Sequence, residues 1–400
     1  MTQQIRLPAA LTLMVAAAPL VTARVLEVPQ KYPTIQQALD ICADSDTILV
    51  SPGTYSERPD LTGKAIVLAS RFLTTGDPMD IATTVIDGQS EGSVITIGDA
   101  TGGETRIVGL TIAHGNAIDG GGVYCDGDAT VFLENLIVEE SMASHYGGGI
   151  YVAGAEADVS HCLVRGNTGG PRGGGVHYGT DSTVRMRNCV IEGNEAIAPP
   201  SYGHGAGVSC KDGVSAFISH CVVDGNAAYV AAGGLWTNTP TRIENSIFTR
   251  NTAEKNNGGG MVLYDPAEIV HCTITGNRLL GPLNGGGIFC SRVTPVVRNS
   301  IIWGNEAGNG DDIFGPCTVE YSTIGGGWDG PGNLAGDPAL TTWHGYEYLL
   351  APGSPAIDAG DPTGTDRIYD RHPRVPAIYR NGSRADMGAY GGEYNHHWLR

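Results

Sequence analysis

Seven glycine clusters recur at a nearly fixed interval, and no other feature restricts the possible folds of this chain so tightly. They stand at Gly120–Gly122, Gly147–Gly149, Gly173–Gly175, Gly205-Ala206-Gly207, Gly233-Gly234, Gly258–Gly260 and Gly285–Gly287. Their first residues lie 27, 26, 32, 28, 25 and 27 positions apart. A second signature runs between them: Asn135-Leu136, His161-Cys162, Asn188-Cys189, His220-Cys221, Asn245-Ser246, His271-Cys272 and Asn299-Ser300. It leads on to an asparagine, as in Ile191-Glu192-Gly193-Asn194 and Phe248-Thr249-Arg250-Asn251. A period of this length denotes stacked units, none of which can bury its apolar face alone.

Leucine-rich repeats share the period but need several leucines and a helical segment per unit. Here the apolar positions are Val, Ile and Cys in short alternating runs, and the glycines forbid a helix. About three strands per unit, separated by Gly/Asn turns, predict an all-β parallel β-helix. Its coils stack about 4.8 Å apart, so equivalent positions form ladders. The asparagines are expected to make one such ladder, side-chain amides pairing from rung to rung, because Asn satisfies buried backbone.

At the N-terminus, Thr12 to Ala18 are apolar or small, preceded by Arg6 and followed by Val21-Thr22-Ala23. That reads as a secretory signal over residues 1–23, and hence a secreted, periplasmic or cell-surface location. No other run approaches the ~18 apolar residues of a membrane span. Thr34-Ile35-Gln36-Gln37 predicts a capping box, opening a helix with Ile35, Ala38, Leu39 and Cys42 on one face. A strand comes next, over Asp46–Val50. A lone amphipathic helix ahead of many short strands suits the open end of a solenoid, whose edge it covers.

These segments carry a resemblance. The repeats resemble those of secreted right-handed parallel β-helix proteins of the pectin-lyase-like class. The pattern Phe248-Thr-Arg-Asn251 with Gly259-Gly260-Met261 after it is similar to repeats of chlamydial-type polymorphic outer-membrane proteins. Pro33-Thr-Ile-Gln-Gln-Ala38, Asp46-Thr-Ile-Leu-Val50 and Pro52-Gly-Thr-Tyr55 resemble the N-terminal cap of such proteins. Ser354-Pro-Ala-Ile-Asp-Ala-Gly360 and Asp386-Met-Gly-Ala-Tyr390 resemble the closing segment of bacterial members. The resemblance implies one right-handed, single-stranded β-helix of roughly ten coils over residues 24–325, with an irregular C-terminal cap over 326–400. It does not imply one activity, because the class holds lyases, hydrolases, esterases and adhesins on one scaffold.

Charge narrows the partners. Acidic residues outnumber basic ones 42 to 24, for a net charge of −18, so no nucleic acid is expected as a partner. Nine cysteines in an exported chain invite disulfides. Yet Cys162, Cys189, Cys221 and Cys272 share one inward column, and Cys125, Cys210 and Cys290 share another. Parallel Cβ vectors suit a disulfide poorly, so mostly reduced thiols are expected. No cofactor is expected. The absence of any Cys-x-x-Cys pair argues against zinc, whereas Asp358, Asp361, Asp366 and Asp370 cluster in a turn-rich segment and are candidate calcium ligands.

Catalytic signatures mostly fail. Gly203-His204-Gly205 and Gly310-Asp311-Asp312 echo polygalacturonase motifs, in which paired carboxylates act on a glycosidic bond. Here they are in the wrong order and 107 residues apart, too far for the carboxylates to reach the histidine. Asp311-Asp312-Ile313-Phe314-Gly315 echoes pectin esterases without their other residues. Arg374-Val375-Pro376 with Arg380 is one residue away from a pectate-lyase pattern.

Period-two reading of the strand after each glycine cluster gives the functional candidates. Val123, Ile150, Val176, Val208, Leu235, Met261 and Ile288 form the inward set. The next residue on each rung points out: Tyr124, Tyr151, His177, Ser209, Trp236, Val262 and Phe289. Two positions on stand Asp126, Ala153, Gly179, Lys211, Asn238, Tyr264 and Ser291. Aromatic rings beside polar groups suit a sugar chain lying along the solenoid; the alternative is rings stacking for stability alone. Ligand-binding candidates are therefore Tyr124, Tyr151, His177, Lys211, Trp236, Asn238, Tyr264 and Phe289. Ile137, Leu163, Val190, Val222, Ile247, Thr273 and Ile301 form a second outward stripe, which a loop, the C-terminal segment or another copy of the chain would cover. Three readings result: an exported binder of polysaccharide or another extended surface ligand, a polysaccharide lyase, or an adhesin or spacer. The lyase would act on uronic-acid chains, with His177, Lys211 and Tyr264 as its catalytic candidates, and ranks above a glycoside hydrolase or esterase.

Overall fold

A computed structural model describes residues 23–99, 103–199, 202–343, 345–366 and 382–395. The signal-like segment up to residue 22 and Asp370 lie outside the described residues. One coil shows the plan of the rest. Val123–Asp126, Thr130–Glu134, Ile137–Glu139 and Met142–Ala143 are successive strands, and the chain then returns to Ile150–Ala153, one rung on from where it began. Repetition produces parallel sheets of twelve, eleven, nine and seven strands. The first sheet runs from Val25–Val28 to Thr318–Glu320, and the second from Gly53–Tyr55 to Thr323–Ile324. The third runs from Ile95–Ile97 to Ile313–Phe314. The fourth, of two-residue strands, runs from Asn116–Ala117 to Arg278–Leu279. The result is the expected all-β solenoid, with about eleven turns rather than ten.

The inward set is as anticipated: Val123, Ile150, Val176, Val208, Leu235, Met261 and Ile288 are all fully buried. The asparagine ladder is present and longer than the sequence signature shows. Asn167, Asn194, Asn226, Asn251, Asn277 and Asn305 stack on successive rungs, each amide Nδ2 donating to the next Oδ1 at 2.9–3.0 Å. Each Nδ2 also donates to a main-chain carbonyl, as Asn226 does to Ile191 at 2.9 Å. Asp312 ends the row, its Oδ1 accepting from Nδ2 of Asn305 at 2.7 Å. Burial raises the Asp312 carboxyl above its ordinary range. The Gly-Asp-Asp echo is thus a ladder cap.

The Asn/His signature marks the corner between the first and second sheets. Asn135, His161, Asn188, His220, Asn245, His271 and Asn299 all have φ between +43° and +56°. Asn and His tolerate this left-handed region better than most side chains. The cysteines are all free, eight of them buried. Their thiols fill the core and donate weakly to nearby carbonyls, as Cys189 does to Arg187 at 3.2 Å.

Both ends are closed. The helix Ile35–Ile41 has Thr34 as its N-cap, with Oγ1 accepting from the Gln37 amide at 3.1 Å. Glu57, from a later segment, accepts from the Ile35 and Gln36 amides, both at 3.1 Å. Ile35, Ala38, Leu39 and Cys42 are buried beneath it. The expected strand at Asp46–Val50 spans Thr47–Val50. At the other end, Leu340–Trp343 and Tyr346–Leu350 form an antiparallel pair. The chain beyond folds back along the second sheet. Ala389 donates to Thr273 Oγ1 at 3.0 Å, and Asn245 Nδ2 donates to the carbonyl of Gly391 at 2.8 Å. Ile247, Thr273 and Ile301 are buried there, whereas Ile137, Leu163, Val190 and Val222 stay partly exposed. The C-terminal segment is therefore the cover of the upper part of the second stripe.

The aspartates considered for calcium are engaged otherwise. Asp361 accepts from Thr363, through its amide at 2.9 Å and its hydroxyl at 2.7 Å. Asp358 accepts from the Gly382 amide at 2.8 Å, and buried Asp366 accepts from the amides of Asp386 and Gly392. Asp361 closes a local turn, whereas Asp358 and Asp366 tie distant parts of the C-terminal segment together. No group of three or more His, Cys, Asp or Glu among the described residues is placed to hold a metal.

Candidate functional site

The outward column of the third sheet is in the expected register: Tyr124, Tyr151, His177, Ser209, Trp236, Val262 and Phe289 pair rung to rung. Outward does not mean open. His177 is 1 % exposed, Trp236 6 % and Phe289 8 %, and Ser209 and Val262 are fully enclosed. The reading of His177, Trp236 and Phe289 as open ligand surface is therefore corrected. The glycine clusters supply the physical reason. Gly205 has φ +61°, and a Cβ on it would lie 2.9 Å from the Trp236 Cβ. Without side chains, the connections from the fourth sheet to the third lie flat on the column they precede.

Those connections add a second column. Tyr146, Arg172, His204 and Ala231 bridge one another from rung to rung. The Tyr146 ring stacks on His177 at 4.7 Å, and the Arg172 guanidinium lies 3.7 Å from the centre of the Trp236 ring. His204 tilts against Trp236 at 6.2 Å, and Val230, Ala231 and Ala232 complete the apolar cover. Sequence reasoning missed Arg172 and dismissed His204. Tyr146, Arg172 and His204 each stand immediately before a glycine cluster, which is the signal that marks them.

The rim of the column is accessible. Tyr124 and Tyr151 are half-buried and stack at 5.4 Å with 6° between their planes; the Tyr124 hydroxyl donates to Asp126 at 2.9 Å. Burial pushes the Tyr151 hydroxyl up to about 12. Further up the column, Tyr264 is exposed and its ring tilts against Trp236 at 5.8 Å. Lys211 sits 3.4 Å from Asp212, which in turn is hydrogen-bonded to Asn238. The three lyase candidates are thus differently placed. Burial, then the charges of Arg172 and Lys211, hold His177 down to about 3, so it stays a neutral, enclosed ring. Lys211 is partly exposed and ion-paired with Asp212, and Tyr264 faces solvent.

A sequence profile of the family described as "Right handed beta helix region" matches residues 121–324, just over half of the chain. The chain belongs to that family. No curated protein sequence matches it. Among solved structures, this β-helix is similar to a pectate lyase (Pel9A), with TM-score 0.52 and 13 % identity over 92 % of this chain and 96 % of that one. An alginate lyase from Paenibacillus sp. str. FPU-7 matches at TM-score 0.33 and 14 % identity, over 78 % of this chain and 99 % of that one. A pectin methylesterase from Aspergillus niger matches at TM-score 0.33 and 16 % identity, over 70 % of this chain and 84 % of that one. At this identity the likeness to the pectate lyase is one of fold. No helix among the described residues is long and apolar enough to cross a membrane.

Proposed function

We propose that this is an exported protein that binds an extended polysaccharide along the open rim of its third sheet. The observation that carries the reading is the coplanar, half-exposed pair Tyr124 and Tyr151 with Asp126 beside it. A sugar ring presents an apolar face and a hydroxyl edge, which matches a flat ring flanked by a hydrogen-bonding group. Asn238 and Tyr264, on adjacent rungs higher up the same sheet, repeat the combination. The pectate lyase of like fold adds an analogy at the level of fold only. The test is a glycan-array screen with calorimetry on any hit. Tyr151→Ala should lower affinity by about 1–3 kcal/mol, the range for an aromatic anchor. Failure to bind any glycan would remove the proposal.

The burial of Trp236 and Phe289 favours a second reading, a surface spacer whose rings serve stability alone. Loss of stability in Tyr151→Ala without loss of binding would favour the spacer.

A further inference from the structure

The last coil of the solenoid differs from the coil beneath it in how it turns from the third sheet into the first. Phe314 pairs with Phe289 on the third sheet, and Thr318 pairs with Val296 on the first. Between these matched positions the lower coil has six residues, 290–295, and the last coil only three, Gly315-Pro316-Cys317. Three residues cannot follow the outer path of six, so the last connection cuts inward across the rung below. A Cβ on Gly315 would fall 2.1 Å from the Cys290 carbonyl oxygen and 3.3 Å from the Cys290 Cβ. Two residues on, Cys317 packs against the core in which Cys290 is buried, and its Sγ donates to the Pro295 carbonyl at 3.5 Å. The two thiols hydrogen-bond to one another.

Thiol-to-thiol contact is not peculiar to this pair, because Cys162, Cys189 and Cys221 also hydrogen-bond in a row. Those three hold one position on successive coils, where repetition keeps their Cβ vectors parallel, and all three are buried. Neither condition applies at the top of the solenoid. Cys317 belongs to a connection and not to the ladder, so repetition does not align its Cβ with that of Cys290. It alone of the nine cysteines is partly exposed, and the strand it leads into, Thr318–Glu320, is the last of its sheet. A reagent in solution can reach Cys317 and not the row below.

We propose that Cys290 and Cys317 are joined by a disulfide when the protein meets a disulfide oxidant, stapling the last coil to the coil beneath it, while the other seven cysteines stay reduced. Glutathione disulfide is such an oxidant. The Cys317 thiolate attacks one of its sulfurs and expels one glutathione thiolate. The Cys290 sulfur, losing its proton to water, then attacks Cys317 in the mixed disulfide and expels the second. Two protein thiols are oxidised, and one glutathione disulfide is reduced to two thiols. The adjoining Cys317 thiol, and then burial, raise Cys290 above its ordinary value, so the first attack belongs to Cys317. Joining positions 27 apart restricts the unfolded chain and holds the end of the solenoid against fraying.

In the test, the full chain is reduced, freed of reductant and equilibrated with glutathione disulfide. Its remaining thiols are alkylated under denaturing conditions and mapped by mass spectrometry. One linkage, between the Cys290 and Cys317 peptides, is expected, with seven of the nine cysteines alkylated. Nine alkylated cysteines, a disulfide between other partners or a glutathione adduct left on Cys317 overturns the proposal. Cys290→Ser should stop at the mixed disulfide on Cys317. Should this core variant fail to fold, Cys317→Ser, at a partly exposed position, should fold and form no linkage; any disulfide in it overturns the assignment. Hydrogen exchange reads the staple. The amides of Thr318–Glu320 should exchange about tenfold more slowly in the oxidised protein than in the reduced one. Equal rates overturn the staple even where the disulfide forms.

Discussion

On the first sheet many outward residues are long, charged and paired across neighbouring rungs: Arg106 with Glu134 at 2.8 Å, Arg187 with Asp158 at 2.8 Å and Arg298 with Glu320 at 3.0 Å. On the third sheet the same outward positions hold Tyr, His, Trp and Phe, with the glycine-rich connections laid over them. Both faces are built from the same alternating strands and the same rung spacing. They differ in the connections that flank their strands. The turn from the third sheet to the first is short and leaves the first open to water, so its charges are solvated and only weakly coupled. The connection leading into the third sheet is long and removes its rings from water, so they contribute burial energy. One face should therefore respond to salt and the other to cavities and pH.

The largest expected difference comes from two aromatic truncations. Trp236→Ala should cost about 3–5 kcal/mol, as for a core aromatic. Phe217→Ala, at an outward position of the first sheet between Arg185 and Arg242, should cost about 1 kcal/mol or less. Equal shifts in denaturant midpoint would abolish the contrast. Next is Gly205→Ala, which places a Cβ at φ +61° and 2.9 Å from the Trp236 Cβ. A loss of about 1–2 kcal/mol is expected, with greater solvent exposure of a tryptophan in fluorescence. An unchanged spectrum would mean that the connection does not hold the ring.

Acid should act on the covered face. Burial holds His177 down to about 3 and His204 to about 4, below the ordinary 6.5. A base whose folded value is depressed contributes stability that is complete above pH 6.5 and lost as pH falls through the folded values. His177→Phe keeps the ring stack and should flatten that limb of the stability–pH profile; an identical profile would show that His177 does not contribute. The smallest effect belongs to the open face. Arg187→Ala should change stability by about 0–1 kcal/mol, and about 0.5 M NaCl should remove the difference. A loss of several kcal/mol that survives salt would show that these pairs are not merely solvated.

Much of the fold was legible because it is periodic. The glycine spacing led to the coil, and alternation placed Val176, Leu235 and Ile288 inside and Tyr151 and Trp236 outside. The asparagine ladder could be read from one residue per rung recurring after the second sheet. The candidate site was legible only by half. Tyr124, Tyr151, Asn238 and Tyr264 are on the accessible rim, but Arg172 and His204 were missed because they occupy irregular connections with no alternation to read. The sequence shows the glycine clusters as helix breakers; their larger effect, visible only in the fold, is to let a connection lie against Trp236.

The sequence by itself determined the solenoid, its inward set, its ladder and the stacking register of the aromatic column. These depend on backbone geometry within one coil, which local composition encodes. Only the tertiary structure decided which outward faces meet water. The C-terminal segment covers Ile301 and Thr273 from residues far along the chain, and the connections enclose Trp236 and His177. Alternation states the direction of a side chain, whereas its exposure is set by whichever distant segment gains more by burying it than by remaining in water.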